Sequence, residues 1–156
     1  MIPQTFTEVG AWCWFQDPRI FRHRGEHDRT YAGWITRHGD VQVGQYDHDD
    51  GTAQTTTLRE RYQVDDHDNP TFAIRPDGRI IAFYTIHGGG TVDYRISERP
   101  EDVTDFGPER SLAPDIPTNC PPRLLTGRTT PTSPIQIPAG STEISTCFCG
   151  TAAPSW

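Results

Sequence analysis

The sequence predicts an all-β fold, a partial β-propeller followed by an irregular C-terminal tail, and three observations carry that expectation. Apolar residues gather in short runs rich in β-branched and aromatic side chains, with turn residues between them. No stretch repeats apolar residues with the 3.6-residue period of an amphipathic helix. Two similar dipeptides, Asp17-Pro18 and Asn69-Pro70, each precede a strand and lie 52 residues apart, a spacing that suits one four-stranded propeller blade, although a β-sandwich fits the strand pattern as well. Residues 1–115 then hold about two blades, whereas a closed ring takes roughly 4–8. The chain is therefore expected to be a piece of a larger propeller.

In chain order, the first predicted strand is Thr30–Thr36, ended by the turn cluster Arg37-His-Gly-Asp40. Val41–Tyr46 alternates in polarity, Asp47–Gly51 turns, and Thr52–Leu58 is rich in β-branched residues. A second set follows. Thr71–Arg75 leads into Pro76-Asp-Gly78, where Pro and Gly stand where a tight turn needs them. Arg79–Thr85 and Thr91–Ile96 complete it.

Composition separates the tail. Residues 1–115 hold 12 Arg and 20 acids, while residues 116–156 hold two Arg, one acid, seven Pro, eight Thr and three of the four Cys. Such a segment buries too little apolar surface to offset its ordering entropy, so 116–156 is expected to be irregular.

Charge and length exclude several functions. The 156 residues carry a formal net charge of -7, and no basic stripe is available to neutralise phosphates, so no nucleic-acid partner is expected. No apolar run approaches the length of a membrane span. Met1–Glu8 lacks the basic and apolar regions of a signal peptide, which makes the cytoplasm the default expectation. All 14 basic residues are Arg, and Asp outnumbers Glu by 14 to 7. An acidic surface without Lys suits concentrated salt, where screening weakens self-repulsion, so a halophilic protein is expected, the alternative being a GC-rich genome that replaces Lys by Arg.

The chemistry-bearing residues cluster. Trp12 and Trp14 share a strand face beside Asp17-Pro-Arg19, and their rings suit either stacking on sugars or the packed centre of a blade. Asp65-Asp-His-Asp-Asn-Pro70 places His67 among carboxylates that can fix its tautomer, as a general acid or base requires. His87 follows Tyr84 at the end of the next strand, against Gly88-Gly-Gly90. The turn at Pro76–Gly78 folds these strands into a hairpin, which brings His67 and His87 side by side. No metal site is expected. His23 and His27 have a helical spacing but no helix, the Asp47–Gly51 run lacks the Glu that closes a calcium loop, and Cys147-Phe-Cys149 offers two ligands where structural zinc takes four.

Gly10–Arg19, Tyr31–Trp34 before Gly39–Val43, Asp65–Pro70, and Pro76–Ile80 before Phe83-Tyr84 and His87 form an ordered series over residues 8–112. That series resembles the BNR-repeat-containing family of β-propellers, which includes the ulvan lyases. The resemblance implies a seven-bladed fold, no cofactor, and an acidic polysaccharide as partner. In its lyase members it implies β-elimination at the O4 side of a uronic acid. His67 and His87 match the two catalytic histidines of that site, and Trp12, Trp14, Arg19 and Tyr84 are the substrate-binding residues expected here. The family's further Tyr and Arg belong to later blades and have no match in this chain. The chain as given is therefore expected to be an inactive, truncated relative, the alternative being a non-catalytic carbohydrate-binding or structural propeller fragment. Read in a shifted frame, codons for Arg128–Gln136 and Glu143–Gly150 can encode strings similar to the family's next blade, so a frameshift near residue 116 is expected.

Overall fold

The computed structural model describes residues 5–11, 20–112, 123–124 and 146–147. Strands β1 (Ile20–Arg24), β2 (Asp28–Ile35), β3 (Val41–Asp47) and β4 (Ala53–Arg59) pair antiparallel in that order. Strands β5 (Thr71–Ile74), β6 (Arg79–Tyr84), β7 (Val92–Pro100) and β8 (Arg110–Leu112) form a second sheet of the same plan. The fold is all-β, and the sheets are successive blades: β5, β6 and β7 begin 51 residues after β1, β2 and β3 (Ile20 to Thr71, Asp28 to Arg79, Val41 to Val92). Within the tail, β9 (Arg123–Leu124) pairs with β10 (Thr146–Cys147).

Six of the eight blade strands lie where sequence placed them, with β7 running four residues further, to Pro100. The other two, β1 and β8, were not foreseen. β1 reads Ile-Phe-Arg-His-Arg with its first, third and fifth residues exposed, and β8 has only three residues. Neither is long or apolar enough to stand out. Asp47–Gly51 is a hairpin turn between β3 and β4, closed by the Gly51 N–H on the Asp47 carbonyl at 2.9 Å.

The core lies between the sheets. Tyr31, Ile35, Val41 and Val43 of the first sheet meet Phe72, Ile80, Ala82 and Tyr84 of the second. Each of the larger side chains contributes roughly 1.5–3 kcal/mol when fully buried. Gly33 permits the close approach, since a Cβ there would lie 2.5 Å from Pro70 Cγ and 2.9 Å from Phe72 Cζ. Asn69 then pins the second blade to the first. Its Oδ1 accepts the Ile35 N–H at 2.9 Å, and its Nδ2 donates to the Ala11 and Asp66 carbonyls at 3.1 and 3.0 Å. Among the described residues no helix is long and apolar enough to cross a membrane.

Candidate functional site

Hairpin register builds the site. β5 and β6 pair Thr71 with Phe83 and Ile74 with Ile80. Four residues before Thr71 is His67 and four after Phe83 is His87, so the same register, carried past the strand ends, sets the histidines opposite each other. Their rings stack with centroids 4.0 Å apart and planes 22° from parallel. Two local devices hold them. Asp65 caps the 3-10 turn at Asp66–Asp68 by accepting the His67 N–H at 2.8 Å. Gly88, with φ of +74°, turns the chain directly after His87.

One carboxylate serves both rings. Asp65 Oδ1 lies 2.6 Å from His67 Nδ1, and Asp65 Oδ2 lies 3.0 Å from His87 Nδ1. Asp66 Oδ1 is a further 2.9 Å neighbour of His67 Nδ1. Partial burial works against ionisation of Asp65, but the His67 N–H and the two rings outweigh it and hold its pKa down at about 2. An ionised carboxylate only accepts hydrogen bonds, so both Nδ1 atoms carry protons toward it. Asp65, His67 and His87 also have the grouping of a metal-binding trio. With Nδ1 turned to Asp65, Nε2 is the ring nitrogen by which either histidine would ligate an ion, as metal-bound histidines commonly do.

Asp68 differs from its neighbours in sequence. Its side chain turns inward and is fully buried. Burial first, and then the charge of Asp65, push its pKa up to about 7, against the opposing hydrogen bond from His87 N–H. Beside the pair, Val9, Ala11, Ile35 and Val64 wall a shallow cleft that Arg37, Asp65 and Asp66 also line.

Tyr84, expected to bind substrate, is buried in the described fold. It is 0% exposed, its ring packs edge-on to Tyr62 at 5.5 Å, and its hydroxyl donates to Glu109 Oε2 at 2.8 Å. Burial first, and then that carboxylate, raise its pKa. Strand parity turns it into the core between the blades, away from any ligand at the surface. A signal for this was present, because Ile80–Tyr84 is one continuous apolar run, the mark of a strand covered on both faces. Trp12, Trp14 and Arg19 lie outside the described residues, as do the side chains of Cys147 and Cys149. His23 and His27 flank the β1–β2 turn at the other end of the sheets. The participants that sequence reasoning missed are Asp65, as the bridge between rings, and Asp68, as an inward acid.

A family model described as a BNR repeat-containing family member matches residues 29–138, beyond residue 115 and into the segment that composition separates from the blades. Two solved structures resemble the chain. One is a polysaccharide lyase of a new family, an ulvan lyase bound to a saccharide of glucuronate and 3-sulfated rhamnose, with 21% identity and a TM-score of 0.51. The other is an ulvan lyase structure with 23% identity and the same TM-score. In both cases the likeness covers 65% of this chain and 28% of the lyase, and what it shows is the fold. No curated protein matches the chain.

Proposed function

Because this chain belongs to the BNR repeat-containing family, we propose that its histidine pair is the acid–base half of a site for β-elimination on a uronate-containing, sulfated polysaccharide. The observation that carries the reading is the stacked pair itself, two imidazoles 4.0 Å apart with both Nδ1 atoms on one carboxylate. With Nδ1 committed to Asp65, each ring trades protons with a substrate through Nε2. Elimination needs one group to take the C5 proton and another to protonate O4 as it leaves. The C5–H electron pair becomes the C4=C5 double bond, and the C4–O4 pair departs with the oxygen.

The reading makes this chain a partial site. Elimination also needs the uronate carboxylate neutralised, and the chain spans 28% of the length of the lyases that it resembles. We expect no turnover from the chain alone and product from a version continued through the later blades. The test is ultraviolet absorbance of the unsaturated uronate when either protein meets uronate polysaccharides. Absence of product from the continued version, across such polysaccharides, would count against the lyase reading. Resequencing the locus tests the frame change, which an intact single frame would remove.

One observation favours a second reading. Val64 and Ile86 are 71% and 38% exposed beside the histidine-bearing loops, an apolar surface suited to the face of a sugar ring. Saccharide binding that persists without product, and survives loss of both imidazoles, would assign a binding module.

A further inference from the structure

The acid–base reading leaves the Asp68 carboxyl without a task. It follows His67 by one residue, yet it is fully buried, and its Oδ1 accepts the main-chain N–H of His87 at 2.9 Å. Its Oδ2 is buried with no hydrogen-bond partner. A buried carboxyl in that state is costly, and the protein meets the cost in part by keeping its pKa near 7. The groups around it are Asp65 and His67 from its own loop, His87 from the β6–β7 loop, and Tyr62 from the segment before the turn.

The main chain at His87 explains what such a group can do. The β6–β7 ladder ends at the pair Tyr84–Asp93, so the N–H of His87 has no strand partner. Among the described residues its acceptors are side chains: Asp68 Oδ1, and Gln63 Oε1, also at 2.9 Å. Asp65 joins the two histidines through their rings at the surface. Asp68 joins the loops beneath them through the backbone.

We propose that Asp68 is a positioning residue for the histidine pair, holding the His87 main chain at the separation from His67 that keeps the two rings stacked. Its functional meaning rests on the acid–base reading above, but the geometry it sets can be read without turnover. Asp68→Asn keeps an acceptor of the same shape, whereas Asp68→Leu fills the space without one. In the full chain, NMR amide exchange at His87 is expected to stay within about threefold of the parent in D68N and to quicken about tenfold or more in D68L. The ring-proton shifts of His67 and His87 should follow the same division, while the amides of Phe83 and Tyr84 stay protected in both. Should D68L fail to fold, Asp68→Ser, too short to reach His87, takes its place with the same expectation. Unchanged His87 exchange in D68L or D68S overturns the proposal. So does a D68N variant that folds and yet frees the His87 amide. Because neither readout requires a product, failure of the lyase reading and failure of the positioning role are separate results.

Discussion

The two ends of this pair of blades use the same materials, a carboxylate beside a histidine, for opposite purposes. At the end away from the histidine pair, Glu101 of the β7–β8 connection reaches across to the β1–β2 turn. Its Oε1 and Oε2 accept the N–H groups of Glu26 and His27 at 2.9 Å each, and His23 Nε2 lies 3.3 Å from Oε1. Its carbonyl accepts Tyr31 Oη at 2.6 Å and Arg29 Nη1 at 2.8 Å. Burial opposes ionisation of Glu101, yet the His27 and Glu26 amides and then His23 keep its pKa below the ordinary value. Most donors on this carboxylate are main-chain groups that cannot titrate, and the result is a latch between blades. At the other end, Asp65 faces two imidazoles, and the carboxyl behind them, Asp68, has an oxygen without a partner. What differs between the two ends is the kind of donor: main-chain amides cannot titrate, whereas an imidazole is able to pass a proton on.

The largest effect that could break this comparison lies in turnover. In a chain continued through the later blades, His67→Ala and His87→Ala should each lower the rate of product formation by about 10²–10⁴, with unfolding free energy changed by about 1 kcal/mol or less. Full activity in both variants would place the pair with Glu101 as structure. Glu101→Ala should do the converse and cost about 3 kcal/mol in urea unfolding, since it strands two turn amides and a histidine. Glu101 holds φ at +53°, so Glu101→Gly should be more stable than the alanine variant by roughly 1 kcal/mol. An alanine variant as stable as the parent would remove the latch.

The pH dependence of stability sharpens the contrast at the histidine end. Asp68 has a folded pKa raised to about 7, so its contribution is fully present below the ordinary carboxyl range and is lost as pH rises toward 7. The free energy of unfolding should therefore decrease as pH rises from about 4 to about 7, by an amount on the order of a few kcal/mol. Asp68→Asn should flatten that slope. Asp65, held at about 2, acts in the opposite sense: its contribution is present above the ordinary carboxyl range and is lost as pH falls toward 2. A smaller effect concerns Tyr84. Tyr84→Phe should cost about 1 kcal/mol for the lost hydrogen bond to Glu109 and leave saccharide affinity unchanged. A large loss of affinity would return Tyr84 to the binding surface.

Local patterns determined much of this protein. β-branched runs, the Pro76–Gly78 turn and the dipeptide spacing sufficed for six strands and a blade repeat, because strands and tight turns are short-range objects. The juxtaposition of His67 and His87 was legible for the same reason, since a hairpin maps sequence distance from its turn directly onto spatial pairing. Tertiary structure alone decided how those loops are used. Which way Asp68 points depends on the 3-10 turn and on the His87 amide, 19 residues away. Glu101 acts on an amide 75 residues away, through a backbone conformation that no pattern around it announces. Tyr84 faces the core because a second sheet covers it. Contacts of that range are set by how the blades pack, and packing is a property of the assembled surfaces, which no window of sequence contains.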